Sequence, residues 1–259
     1  SDLNNFVYDM SRCIKCKGCT WVDHTYMPGA KYMTRCPSAA KYEFDAYGAY
    51  GKMRIGHAMA EGLLPWNDRA LEVIYACTLC GACDVGCKRN LDLEIELSLE
   101  ALRVKAVQDG VGPMPAHKKI AENIAQSHNL FGAPPAERTA WITPEITPAE
   151  KAEVLYFVGC VSAFYPRAFS IPQAFGRILA HAGVSFTTMA GEEWCCGYPL
   201  LNAGLEEDVG QFIEHNVAQV QALGARLLVT TCPSCYYAWK VLYPRYVRLP
   251  PNLTILHSS

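Results

Sequence analysis

Residues 154–160 read Val154-Leu-Tyr-Phe-Val158-Gly159-Cys160, and this stretch decides the fold of the second half of the chain. A short continuous apolar run stopped by glycine is the signature of a strand buried on both faces of a parallel sheet. Outward from it the pattern repeats. Ala168–Ala182 has helical spacing and stops at Gly183, and Val184–Thr188 is a second strand-like run. Leu205–Leu223 is a long amphipathic segment ended by Gly224, followed by Arg226–Thr230 and a further apolar run at Leu253–Leu256. Strands alternating with helices of this length predict β-α-β units and a parallel sheet.

The first three of these strands are each followed by cysteine: Cys160, then Cys195-Cys196-Gly197, then Cys232-Pro-Ser-Cys235. In an open parallel sheet the loops after strand carboxyl ends share one edge, where ligands bind. Five thiols far apart in sequence are therefore expected in one place. Adjacent cysteines in a regular strand point to opposite faces, but a turn relaxed by Gly197 lets both face one centre. Taken alone, Cys160 reads as a buried small hydrophobe; its matched position after a strand makes it a ligand candidate.

The first third is different. Asp68–Ala76 and Asp92–Val107 have helical patterns, the former capped by Asn67 or Asp68, and no convincing strand occurs before residue 150. Its cysteines form Cys13-x2-Cys16-x2-Cys19, a lone Cys36 followed by Pro37, and Cys77-x2-Cys80-x2-Cys83-x3-Cys87. A Cys-x-x-Cys turn converges two thiolates on one centre, and a third cysteine at the same spacing wraps the loop around a cube of iron and sulfide. In two-cluster ferredoxins the fourth cysteine of each run ligates the other cluster. On that logic Cys13, Cys16, Cys19 and Cys87 hold one [4Fe–4S] cluster, and Cys77, Cys80, Cys83 and Cys36 the other. Structural zinc uses pairs of cysteines closing a tetrahedron, which triplets fit poorly. Two features depart from the ferredoxin pattern: sixteen residues separate Cys19 from Cys36, and Lys88 follows Cys87 where proline is usual.

Composition agrees with metal or redox chemistry. Thirteen cysteines in 259 residues are an odd number, too dilute for a disulfide-stapled scaffold. No signal-peptide pattern opens the sequence and no apolar run reaches the ~18–20 residues of a membrane span, so a cytoplasmic protein without a direct span is expected. The balance of 23 basic against 25 acidic residues gives no sign of a nucleic-acid surface. Residues 132–151 carry four prolines and little periodicity, which predicts a linker between a domain at 1–131 and one at 152–259.

Cys160-x34-Cys195-Cys196-Gly197-x34-Cys232-x2-Cys235 resembles the cysteine-rich CCG domain of heterodisulfide reductase catalytic subunits, the glycolate oxidase iron–sulfur subunit and lactate-utilisation proteins. A two-cluster ferredoxin module followed by a CCG domain is similar to the fused heterodisulfide reductase type. The fold expected is α+β in two domains: a mostly helical ferredoxin-like module, then an α/β CCG domain with a parallel sheet. The resemblance implies that Cys160, Cys195, Cys196, Cys232 and Cys235 hold a noncubane [4Fe–4S] cluster on which disulfides are cleaved. It also implies two CCG repeats, whereas this chain shows one; the second is missing here or belongs to another polypeptide.

The function expected is that of an iron–sulfur electron-transfer subunit of a larger redox complex, passing electrons through two cubane clusters to or from the CCG site. The alternatives are a disulfide reductase acting at that cluster, or structural zinc in its place. With no Gly-x-Gly-x-x-Gly after a strand and no P-loop, flavin or nucleotide is expected on a partner. The resemblance implies a flavoprotein, ferredoxin or hydrogenase-like donor, or a quinone-linked membrane subunit that would tie the chain to a membrane. His24, His57, His117, His128, His181, His215 and His257 read as surface or packed residues, and Tyr42–Tyr50 as packing. Arg12, Lys15, Lys17, Lys31 and Arg35 either dock an acidic carrier or shield a negative cluster.

Overall fold

The computed structural model describes residues 2–22, 33–88 and 91–259; His24 and Lys31 lie outside them. Contacts divide the chain into two compact units, residues 1–114 with 202–206, and residues 115–201 with 207–259.

The first unit is helical. Its main helices are Val7–Arg12, Pro37–Tyr42, Ala49–Ala60, Asp68–Tyr75, Ala82–Cys87 and Ile95–Gln108, with one isolated bridge between Trp21 and Thr34 among the described residues. Asn67 caps Asp68–Tyr75 by accepting the Ala70 N–H at 3.0 Å, supplying an acceptor to one of the unpaired amides of a helix start. The 95–108 helix begins three residues later than its periodicity suggests. Asp92 is left-handed at φ 51°, and the cap comes from another element: Asp84 accepts the N–H groups of Ile95 and Glu96 at 3.0 and 2.9 Å. Met10, Met53, Ile74, Leu99 and Leu102 form a core into which Cys19 and Cys87 are packed.

The second unit carries a four-stranded parallel sheet: β1 (Val154–Phe157), β2 (Phe186–Thr187), β3 (Leu227–Thr230) and β4 (Thr254–His257), in the order β2-β1-β3-β4. The helices Ser170–His181 and Gly210–Leu223 make the crossovers from β1 to β2 and from β2 to β3. The first connection runs to one side of β1 and the second returns past it, so strand order reverses at β1, the kind of point where open α/β sheets hold ligands. β1 is buried throughout beyond its first residue, which explains its unbroken apolar run. Residues 132–151 lie inside this unit, where Arg138 and Trp141 are buried and Trp141 meets Tyr156 edge-on at 5.9 Å.

Candidate metal centres

Three parallel strands end at one edge of the sheet, and each passes the chain to cysteine. Cys160 opens the helix Cys160–Phe164 after β1; Cys195 and Cys196 precede Tyr198–Ala203 after β2; Cys232 flanks and Cys235 sits within Pro233–Tyr237 after β3. The five sulfurs make a continuous chain of hydrogen-bonding contacts, Cys160–Cys195–Cys196–Cys235–Cys232. Sharing protons along it splits the acidities. Cys160 rises, first because it donates to Cys195 and then through burial. Cys235 rises by facing Cys196 and Cys232 as a donor. Cys196 is pulled down to about 6 because Cys195 and Cys235 donate to it. Cys232 falls to about 6 chiefly through Cys235, with the Cys235 and Ser234 amides assisting. Thiolate is the form that binds metal.

Backbone shape brings these groups in. Gly159 has φ +77°, and a Cβ there would lie 2.9 Å from Cys235 Sγ, so the approach of the two segments requires glycine. Gly197, at φ +81°, releases the Cys195-Cys196 pair from strand alternation. Amides of Leu130, Gly197 and Tyr198 point at Cys160, Cys195 and Cys196 respectively.

A buried ion pair braces the edge. Arg138 and Glu193 are 2% and 1% exposed and meet at 2.8 Å. Glu193 also accepts the Val158 and Gly159 N–H groups, each at 2.9 Å, and so fixes the two residues before Cys160. Burial pushes the Glu193 carboxyl up, with Arg138 and the two amides drawing it back. Arg138 reaches the His128 carbonyl at 3.4 Å and Cys160 Sγ at 3.9 Å, and stacks over Phe164 at 4.8 Å. Burial opposes its charge, but Glu193 and the Cys160 sulfur outweigh that and hold its pKa above the ordinary value. The fully buried Asn216 holds the other side. It accepts the Trp194 N–H and donates to the Trp194 and Cys195 carbonyls and to the Tyr243 hydroxyl. Trp194 is stacked between His128 and His215, both rings at 3.7 Å.

In the first unit the two cysteine loops are conformationally alike. The second and fourth residues after the first cysteine are left-handed in both: Lys15 and Lys17 after Cys13, Leu79 and Gly81 after Cys77. Three of these four are not glycine, and such strain, of order 1–2 kcal/mol each, persists where the surroundings over-determine it. Reversals of this kind turn successive amides inward, and the Leu79 N–H lies 3.4 Å from Cys77 Sγ. Cys36, Cys77, Cys80 and Cys83 line one small pocket. Cys13 and Cys16 face Cys19, whose thiol burial pushes up to about 11. Cys87 lies in the same core, with the Leu93 N–H at 3.4 Å from its sulfur. The thirteen cysteines thus lie in two territories, eight in the first unit and five at the sheet edge of the second.

Sequence reasoning missed Arg138, Glu193 and Asn216. Arg138 stood in a stretch read as linker, and a buried charged pair 55 positions apart leaves no periodic signal. His128 and His215 pack, as expected, but on Trp194 beside Cys195 rather than at scattered sites. Lys17 pairs with Asp45 at 3.1 Å, while Tyr42 stacks on Tyr47 at 3.9 Å.

The donor chemistry suits soft metal–sulfur binding, with amides aimed at sulfur and an Arg138 Nε that is buried with no acceptor among the described residues, although no three of the described ligand-type side chains stand close enough together to hold one metal ion.

Residues 9–91 match the 4Fe-4S dicluster domain, which implies two [4Fe–4S] clusters, and residues 154–240 match the cysteine-rich domain CCG. A dihydromethanophenazine:CoB--CoM heterodisulfide reductase subunit of Methanosarcina barkeri is 26% identical over 259 residues, covering 97% of this chain and 62% of the relative. The Methanosarcina mazei counterpart of that protein is 33% identical over 189 residues, 72% of this chain and 45% of the relative. EtfAB:quinone oxidoreductase of Syntrophomonas wolfei is 28% identical over 204 residues, 73% of this chain and 28% of the relative. The chain spans about three fifths, or less, of the length of these relatives. No solved structure matches significantly.

Proposed function

Since the chain joins a 4Fe-4S dicluster domain to a CCG domain and is homologous to a heterodisulfide reductase subunit and to related iron–sulfur oxidoreductases, we propose that it is the electron-transfer subunit of a multi-subunit redox complex. In this reading Cys13, Cys16, Cys19 and Cys87 hold one cubane cluster and Cys77, Cys80, Cys83 and Cys36 the other. Cys160, Cys195, Cys196, Cys232 and Cys235 hold a noncubane [4Fe–4S] cluster. When bound, these groups supply one-electron chemistry; the protein supplies thiolate ligation, amide donors and burial, which set each potential.

The observation that carries the reading is that three neighbouring parallel strands deliver all five cysteines to the carboxyl edge of one sheet. Arg138 and Glu193 hold Cys160 in place, and Asn216 holds Cys195. No helix among the described residues is long and apolar enough to cross a membrane. A flavoprotein, a ferredoxin or hydrogenase-like donor, or a quinone-linked membrane subunit fits a chain whose sequence has no nucleotide fingerprint.

Stepwise reduction of the anaerobically prepared full chain, followed by electron paramagnetic resonance, tests the role. The relay reading expects three distinguishable one-electron centres. A new paramagnetic signal when the oxidised chain meets a thiol would move the assignment from relay to disulfide reductase. Loaded clusters that accept no electron would refute both.

A further inference from the structure

We propose that Lys52 is the buried counter-charge of the cluster held by Cys36, Cys77, Cys80 and Cys83, and that it raises the reduction potential of that cluster relative to its neighbour. The inference rests on the ligand assignment above and deepens it.

Lys52 lies within the Ala49–Ala60 helix and is 0% exposed. Lysine is almost never fully buried unless paired. Its ammonium donates to Ser38 Oγ at 2.8 Å and to the Tyr47 carbonyl, both neutral groups. Burial draws the Lys52 pKa down, and the groups that oppose this and favour its charge are the thiols of Cys77, Cys36 and Cys83. Lys52 lines the same cavity as these three and Cys80, and the intervening Ser38 hydroxyl stands 3.4 Å from Cys36 Sγ. The balancing negative charge for this cation is therefore the ligand set.

Glu96 also lines the cavity, but its influence on Lys52 is smaller than that of the three thiols. Asp84 lies 3.7 Å from Cys83 Sγ, but its carboxylate is engaged by the Ile95 and Glu96 amides. Arg103, also buried, donates to the carbonyls of Ile74, Tyr75 and Cys77 and adds a second, weaker positive influence on Cys77. At the other cluster loop, Lys17 is about half exposed and pairs with Asp45, and Arg35, which packs against Gly86 beside Cys87, is only partly buried, so solvent weakens both fields.

Adding an electron to a cluster adds one negative charge. A fixed cation in a buried, weakly screened position favours the reduced form, and net charge is one of the levers on cluster potential. An electron shared between the two cubanes would then settle on the one beside Lys52.

The test uses the anaerobically prepared full chain and its Lys52→Gln, Lys52→Met and Lys52→Arg variants, read by iron content and by redox titration of each paramagnetic signal. Wild-type protein must hold about 8 iron in its two cubanes; if it does not, the ligand assignment fails rather than this inference. In the neutral variants, one signal is expected to lose about tenfold in its reduced-to-oxidised ratio at fixed potential, or about 59 mV for a one-electron couple. The other signal should stay in place, and Lys52→Arg should resemble wild type. If the neutral variants lose about 4 iron while Lys52→Arg keeps them, the need for the charge stands. Unshifted potentials in a loaded neutral variant would overturn the proposal. So would equal shifts in Lys52→Arg and Lys52→Gln, or failure of all three variants to load.

Discussion

Replacing Arg138 with methionine leaves Glu193 buried with two amide donors and no cation. The pair is 2% and 1% exposed, so solvent cannot take over for the guanidinium. Breaking a buried pair by removing one partner typically costs about 3–5 kcal/mol, and a domain of this size loses about 2–4 °C per kcal/mol. The transition of the sheet-bearing unit in Arg138→Met should fall by about 6–20 °C in anaerobic calorimetry. The loss should depend on pH with a definite sign. Burial already holds the Glu193 pKa above its ordinary 4.5, and removing Arg138 raises it further. A carboxyl raised on folding binds extra protons in the native state, so stability declines as pH rises from about 4.5 through the folded pKa. The variant declines over a wider window than wild type, and the gap between them opens above the wild-type Glu193 pKa by up to about 1.4 kcal/mol per pH unit. Arg138→Met/Glu193→Gln should recover most of the loss and remove the excess pH dependence, because no unpaired charge remains. A shift of under about 2 °C in the single variant, or a pH-independent one, would refute the bracing role assigned to the pair.

Gly159→Ala places a methyl group against Cys235 Sγ at a positive φ; iron content should fall from about 12 to about 8 per chain, with the two cubane signals retained. Asn216→Ala leaves the Trp194 N–H and the Cys195 carbonyl without their buried partner, and should cost about 1–3 kcal/mol with a changed near-ultraviolet tryptophan signal. In the metal-free chain, Cys232 should be alkylated by iodoacetamide with a half-maximal rate near pH 6, whereas Cys19 should need pH near 11; equal rates at about pH 7 would contradict the charge distribution described.

The central strands were legible because they are buried on both faces: the runs Val154–Val158 and Arg226–Thr230 become β1 (Val154–Phe157) and β3 (Leu227–Thr230), each one residue shorter. Edges were less legible. β2 contracts to Phe186–Thr187, paired with β1 on one side, because Val184 and Ser185 look like strand in composition but lie outside the ladder. The Leu205–Leu223 helix begins at Gly210, after a short 3₁₀ turn at Glu206–Asp208 that local periodicity does not distinguish. Cysteine placement was legible because spacing and strand ends are both written in order along the chain. What supports the cysteines was not. Arg138 and Glu193 find each other across 55 residues, Asp84 caps a helix to which it does not belong, and Lys52 looks like any basic residue on a helix until its burial is seen. Partnerships of this kind depend on tertiary contact, which no window along the sequence samples.

The most direct measurement is the iron, sulfide and zinc content of the full chain purified without oxygen, with Cys160→Ser alongside. The account predicts about 12 iron per wild-type chain and no zinc, falling to about 8 when Cys160 is replaced. About 8 iron with one zinc in the wild-type chain would contradict it, returning Cys160 to the sheet core as a small apolar residue and leaving four thiols around a structural ion.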